Sequence, residues 1–357
     1  MLYNRACASA HAIKTTGEFK PSLKLRAMQK TAQIYYDKDV QLSPLTTSTI
    51  AVVGYGNQGR AHALNLKESG LKVIAAARPG GKAWQQAEAD GFSPLPIDEA
   101  VRTADVIALL LPDEVMPSVF RNNIKGNLLE DKTFVFAHGF AVTNKTIELP
   151  ATADVILVAP TGPGRQVRSL YLESKGLPAL IAVEMDNSGK ALVKALAYAK
   201  AIGSTRAGAI LTTFKEETVT DLFCEQAVLC GGMPELIKAS FNTLVERGYQ
   251  PELAYISCLK EVKLIADLLF TQGIDGMRSA ISNTAKYGSA VAGPALINSD
   301  AKRRLGSLLN DIEDGKFARG FVREAEEGMP VTREFVVQEA NSRLAKVGKS
   351  MKETLSF

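Results

Sequence analysis

Between Thr49 and Val183 the chain repeats short apolar runs separated by stretches of mixed polarity. Strands are predicted at Thr49–Val53, Lys72–Ala77, Val106–Leu111, Thr133–Ala137, Val155–Ala159 and Ala179–Val183. Most of these runs are continuously apolar, as expected of parallel strands covered on both faces. Helical spacing fills Gly59–Ser69, Lys82–Asp90, Ile97–Arg102 and Lys190–Ala201. Strand, helix, strand at this spacing predicts a doubly wound parallel sheet. After Thr213 the strand pattern stops. Long amphipathic helices are predicted at Glu217–Leu229, Met233–Arg247, Glu252–Phe270, Ala301–Ile312 and Thr332–Val347, with Gly231-Gly232, Gly248, Gly273 and Gly293-Pro294 as stops and turns.

The first strand runs directly into Gly54-Tyr55-Gly56-Asn57-Gln58-Gly59, a GxGxxG turn that opens a helix. In this context Gly54 serves the tight turn, Gly56 lets the backbone approach a pyrophosphate, and Gly59 lets helix and strand pack. The helix N-terminus then offers free N–H groups and a positive dipole end. The fold expected is α/β: an N-terminal Rossmann-like doubly wound sheet followed by an all-helical C-terminal domain. Its parts are a flexible extension over 1–30, a dinucleotide-binding domain over 31–212 and a helical domain over 213–357. The second strand ends at Ala77-Arg78-Pro79-Gly80-Gly81-Lys82. An NAD enzyme usually places an acid here for the ribose 2′-hydroxyl; Arg78 and Lys82 favour a 2′-phosphate, hence NADP(H) before NAD(H).

Composition narrows the partners. In 357 residues, 42 basic groups face 38 acidic ones, a net charge of +4. That balance argues against nucleic acid as the partner. No apolar run reaches the roughly 20 residues of a membrane helix. Cys7, Cys224, Cys230 and Cys258 show no zinc spacing and read as reduced, buried thiols of a cytoplasmic protein. The basic first 30 residues leave organellar import as the alternative localisation.

Asp221 and Glu225 are four apart and so share a helix face. Their apolar neighbours predict a largely buried helix, where two carboxylates need compensation such as an oxygen-loving divalent cation.

The chain resembles ketol-acid reductoisomerase, the NADPH- and Mg-dependent second enzyme of branched-chain amino acid synthesis, in its short form with one helical domain. The resemblance runs from about Ala32 to about Gly348. It rests on the glycine loop with Ala61-His62-Ala63-Leu64-Asn65-Leu66, on Leu110-Leu111-Pro112-Asp113-Glu114, and on Ala137-His138-Gly139-Phe140. It continues through Gly162-Pro163-Gly164, Thr213-Phe214-Lys215-Glu216-Glu217-Thr218, Asp221-Leu222-Phe223, Glu225 to Gly232 and Ile281-Ser282-Asn283. The resemblance implies His138, Glu261 and Ser282 as catalytic or substrate-contacting groups, and Asp221, Glu225 and Glu261 as Mg ligands. Gly54, Tyr55, Gly56, Asn57, Gln58, Gly59, Arg78, Lys82 and Gly164 would hold the cofactor. It also implies a homodimer or larger homo-oligomer, with the metal site built from two subunits.

Several family positions differ. Ser257 replaces a metal-binding glutamate, Thr161 an active-site lysine, and Gly81 and Ala83 two cofactor-loop hydroxyl residues. Arg60 and Arg165 stand where histidines are usual, adding charge near the phosphates or substrate, and Lys286 where an acid is usual. The losses bear more on the family's alkyl shift than on its hydride transfer. The reading favoured is an NAD(P)H-dependent oxidoreductase that reduces a small 2-keto or ketol acid with Mg, its isomerase step impaired. An authentic reductoisomerase and a non-catalytic nucleotide-binding paralogue are the alternatives.

Overall fold

The computed structural model of the chain describes residues 32–128 and 132–354. The extension over 1–30 and Cys7 lie outside the described residues. The strands are β1 (Ile34–Tyr35), β2 (Thr49–Val53), β3 (Lys72–Ala76), β4 (Val106–Leu109), β5 (Thr133–Phe136), β6 (Asp154–Pro160), β7 (Ala179–Met185) and β8 (Ala209–Leu211). They form one sheet in the order β1-β8-β7-β6-β5-β4-β2-β3. Strands β3, β2, β4, β5 and β6 run parallel, while β6 with β7 and β1 with β8 pair antiparallel. The sheet is therefore mixed where the sequence predicts a parallel one. Strands β1 and β8, two and three residues long, are too short to carry a readable period.

Continuous apolarity in β2 has a direct cause. Ile50 and Val52 enter the core on one face of the sheet, Ala51 and Val53 the core on the other, and all four are fully buried. Ala63 and Leu66 of Asn57–Glu68 and the alanine-rich Ala191–Ala201 cover the first face. Ala100, Val101, Phe120 and Phe214 cover the second. Within the first layer His62 is wholly buried, its Nδ1 3.1 Å from the Tyr198 hydroxyl. Since β2 lies between β3 and β4, the chain leaves it in opposite directions, and the crevice at the carboxyl ends of β2 and β4 is where ligands of such sheets bind.

The helices after β8 begin with Phe214–Cys224, which Thr213 caps by accepting the Glu216 N–H. Phe140, Leu222, Ile312 and Ala318 form a cluster joining the loop after β5 to this helical part. Several glycine stops act differently from expectation. Gly231-Gly232 makes no gap, because Gly232 opens the next helix, Gly232–Glu246, at once. A Cβ on either glycine would lie 2.1 Å from a carbonyl of the preceding turn. Gly273, at φ 72° and ψ −177°, kinks Val262–Ala280 without ending it. Pro294 sits inside Asn283–Leu296. The helix expected over Thr332–Val347 is two, Pro330–Asn341 and Arg343–Thr354, divided by extended backbone at Ser342.

Two expectations about burial are overturned. Cys224 and Cys230 are exposed and Cys258 is half-buried. The helix face bearing Asp221 and Glu225 is open, with Cys224, Val228 and Leu229 all exposed. An apolar residue is buried only if a second surface reaches it, and nothing among the described residues covers this face.

Candidate active site

A cleft of about 830 Å³ opens at the carboxyl edge of β2 and β4. Gly54, Tyr55, Gly56, Asn57 and Gln58 form its floor. Gly54 adopts φ 95°, and a Cβ there would fall 2.6 Å from the Leu110 carbonyl oxygen, so only glycine fits. At Gly59 a Cβ would fall 1.9 Å from the Gly54 oxygen, which explains the close packing of helix on loop. A Cβ at Gly56 would meet nothing within 4 Å. Gly56 thus bounds open space, and as N-cap of Asn57–Glu68 it leaves that helix start without a side-chain cap. This is the local form that a pyrophosphate requires: unblocked approach and free N–H donors.

Two predicted cofactor residues, Tyr55 and Gly164, and the expected extra cation Arg60 make contacts of their own. The Tyr55 hydroxyl donates to Asp90 at 3.0 Å. Gly164 is packed against Asn57, whose oxygen would lie 2.0 Å from a Cβ there, and with Arg165 it lines a second groove. Arg60 adds no free charge to the site, because Asp90 takes its guanidinium through two hydrogen bonds. Arg78 and Lys82 are exposed beside the cleft residue Ala83.

His138 follows β5 and enters the same cleft. Its ring stacks on Phe140 with centroids 6.3 Å apart and an interplanar angle of 18°. Nδ1 lies 3.4 Å from Asp113 Oδ2 and Nε2 lies 3.3 Å from Asp221 Oδ2. The second contact is an ion-pair distance without hydrogen-bond geometry, so Nε2 is a buried polar atom with no hydrogen-bond partner. Burial alone would depress this imidazole, but the carboxylates of Asp113, Glu217 and Asp221 outweigh it and raise its pKa to about 9. These carboxylates favour the protonated imidazole.

Glu217, one turn before Asp221, is 3% exposed and accepts the Gly139 N–H at 2.8 Å. Burial pushes its pKa up to about 7, against the opposing pull of His138. Glu225 is raised by burial and by the Asp221 charge. Asp221 keeps a side chain 57% exposed. Sequence reasoning gave Asp113 and Glu217 no role. Their signals were present: Asp113 follows β4 at the sheet's carboxyl edge, and Glu217 stands four residues before Asp221 on the same face.

The remaining predicted residues are not brought here. Glu261 and Ser282 are exposed and line no part of the cleft. Ser282 caps Asn283–Leu296 by accepting the Ala285 N–H. Ser257 is exposed. Thr161 borders the cleft, but its hydroxyl donates to the Pro178 carbonyl. Among the described residues no group of three His, Cys, Asp or Glu side chains could hold a metal.

Residues 44–208 match the acetohydroxy acid isomeroreductase NADPH-binding domain, and residues 214–357 match the ketol-acid reductoisomerase C-terminal domain. The chain belongs to the ketol-acid reductoisomerase family. A solved NADH-preferring ketol-acid reductoisomerase from an uncultured archean is similar to it at 42% identity and TM-score 0.87, covering 91% of this chain and all of the other. A semialdehyde dehydrogenase NAD-binding protein from Cupriavidus necator shares the fold, at 18% identity and TM-score 0.58, over 75% of this chain and 99% of that one. This ketol-acid reductoisomerase-type chain is an NAD(P)H-dependent oxidoreductase whose substrates are small keto acids. None of its described helices is long and apolar enough to cross a membrane.

Proposed function

We propose that the enzyme reduces a small 2-keto or ketol acid with NADPH and Mg, and that the alkyl-shift half of the family reaction is impaired. One observation carries this reading: a single cleft joins the glycine loop to His138, Glu217 and Asp221. On this reading the hydride donor and the charge-bearing groups share one site.

Asp221 and Glu225 suit a hard divalent cation, since both are oxygen donors, mutually repelling and open on one side. They make only half a ligand set. By family resemblance Glu261 of a second subunit supplies the rest, and the exposure of Glu261 and of the Asp221 helix face supports that assembly. When bound, Mg would supply Lewis-acid polarisation of substrate oxygens.

The chain's own groups do the rest. His138 lines the cleft and carries its Nε2 proton on a buried atom 3.3 Å from Asp221 Oδ2, without a hydrogen-bond acceptor; passed to a substrate oxygen gaining negative charge, that proton would make His138 the general acid. Asp113 orients the ring through Nδ1. Glu217 fixes the His138-Gly139 peptide through the Gly139 N–H. An alkyl shift asks for more, namely two close cations or a nearby ammonium. No lysine or arginine is among the described residues that line the cleft, and Ser257 is a weak Mg ligand.

Arg78 and Lys82 support NADPH through charge-assisted contacts to the 2′-phosphate. NADH is the second reading, favoured by the stated preference of the 42% identical relative and by Gly81 and Ala83, which offer no hydroxyl. The deciding assay compares NADPH oxidation with 2-acetolactate against oxidation with a ready-made 3-hydroxy-2-keto acid. Turnover of the second alone supports the proposal. Brisk turnover of both establishes a complete reductoisomerase.

A further inference from the structure

The short helix Lys82–Ala89, which Lys82 opens one turn of chain after Arg78, is bolted at its far end. There Asp90 accepts the Tyr55 hydroxyl at 3.0 Å. Its two oxygens also take Arg60, Nε at 2.6 Å and Nη2 at 2.8 Å, and Gln86 Nε2 adds a contact at 3.3 Å. The Asp90 side chain is 11% exposed. Nearby, Lys67 donates to the Gly91 carbonyl at 2.8 Å and lies over the Phe92 ring, which meets Tyr55 edge-on at 5.8 Å. The glycine loop, the first turn of its helix and the end of Lys82–Ala89 thus meet at one carboxylate.

At the other end of Lys82–Ala89 no carboxylate holds the helix among the described residues; Gln85 Nε2 donates to the Gly80 carbonyl at 3.4 Å. Gly81 caps it without a side-chain bond, and Arg78 and Lys82 are exposed, with no ion pair to either among the described residues. Eight helical residues span about 12 Å, so how the bolted end is held bears on where Lys82 stands and on the Arg78 turn that the Gly81 N–H closes at 3.1 Å. A bidentate guanidinium–carboxylate pair fixes both distance and orientation, which a single hydrogen bond would not.

We infer that Arg60, Asp90 and the Tyr55 hydroxyl are positioning residues for cofactor choice, holding Lys82–Ala89 so that Arg78 and Lys82 stand where a 2′-phosphate meets them. The inference rests on the proposed assignment of Arg78 and Lys82 to that phosphate. NADH lacks the phosphate, so loosening the helix costs it little. A merely structural clamp would lower stability or weaken both cofactors alike.

Trp84, the single tryptophan of the chain, lies on this helix and reports on it directly. The test titrates full-length protein with NADPH and NADH, following Trp84 emission, for Arg60→Ala, Arg60→Lys, Tyr55→Phe, Asp90→Asn and Arg78→Ala. Asp90→Asn and Arg60→Ala should raise the Kd for NADPH about tenfold, the scale of one charge-assisted contact, and leave NADH within about threefold. Arg60→Lys should recover part of the loss. In an Arg78→Ala background Asp90→Asn should add nothing for NADPH, because the group it positions is gone. Tyr55→Phe removes only a hydroxyl and keeps the test open if Asp90→Asn does not fold. If Arg78→Ala discriminates against NADPH but the clamp variants leave the NADPH-to-NADH ratio unchanged, the positioning role is wrong and the phosphate assignment stands. If Arg78→Ala weakens both cofactors equally, assignment and inference fall together.

Discussion

The backbone N–H of Gly139 donates to the carboxylate of Glu217 across 2.8 Å, joining the loop after β5 to the helix that carries Asp221. Gly139 has no room for a side chain: a Cβ would lie 2.7 Å from Glu217 Oε2 and 2.4 Å from Thr218 Oγ1. The α/β layer and the helical part are thus locked together within one residue of His138. Glu217→Gln keeps an acceptor oxygen for Gly139, whereas Glu217→Ala leaves that buried N–H unpaired. The alanine variant should lose about 1–3 kcal/mol of stability, and the glutamine variant clearly less. Urea unfolding of both checks this; equal losses would show that the hydrogen bond does not join the two parts.

The open carboxylate face predicts assembly. Helices Val262–Ala280 and Asn283–Leu296 contain no buried residue, and Phe270 is 92% exposed, Tyr287 75% and Ile274 64%. Contiguous apolar exposure of this kind marks an interaction surface. Light scattering should give at least twice the 38.4 kDa chain mass. An active monomer would contradict the shared metal site.

Ser257 and Thr161 carry the prediction on chemistry. Ser257→Glu restores a hard anionic ligand four residues before Glu261, and Thr161→Lys restores a cation at the cleft. Together they should create acetolactate turnover, while each alone does little, because groups that act as a unit are non-additive. NADPH oxidation across a Mg titration, in parent, singles and double, is the measurement. A double variant that binds NADPH and still fails would locate the impairment elsewhere in the cleft.

Acid should act on the fold through His62. Burial drives its pKa down to about 4 from 6.5. Between those values the unfolded chain takes up a proton that the folded one refuses, so this stability is intact above pH 6.5 and lost as pH falls toward 4. The loss reaches about 1 kcal/mol by pH 5.5 and about 3 kcal/mol by pH 4. Urea midpoints of parent and His62→Gln between pH 7.5 and 5 should converge on acidification. A constant gap would mean that His62 does not stay neutral.

The sequence by itself determined the parts governed by neighbours along the chain. The apolar period of β2 and the spacing of Gly54, Gly56 and Gly59 read directly, because turn sterics and two-faced burial act over a few residues. Asp221 and Glu225 were legible as a pair for the same reason, being one helical turn apart. Tertiary structure alone decided what they meet. Asp113 reaches His138 across 25 residues of chain, Arg60 reaches Asp90 across 30 and Glu217 reaches Gly139 across 78. Such pairs leave no period in the sequence, so Arg60 read as free charge and Glu217 as one letter of a motif. Burial of Cys224 and Cys230 was misread likewise, since an apolar face is dry only where another surface covers it, and local pattern says nothing about which chain provides that surface.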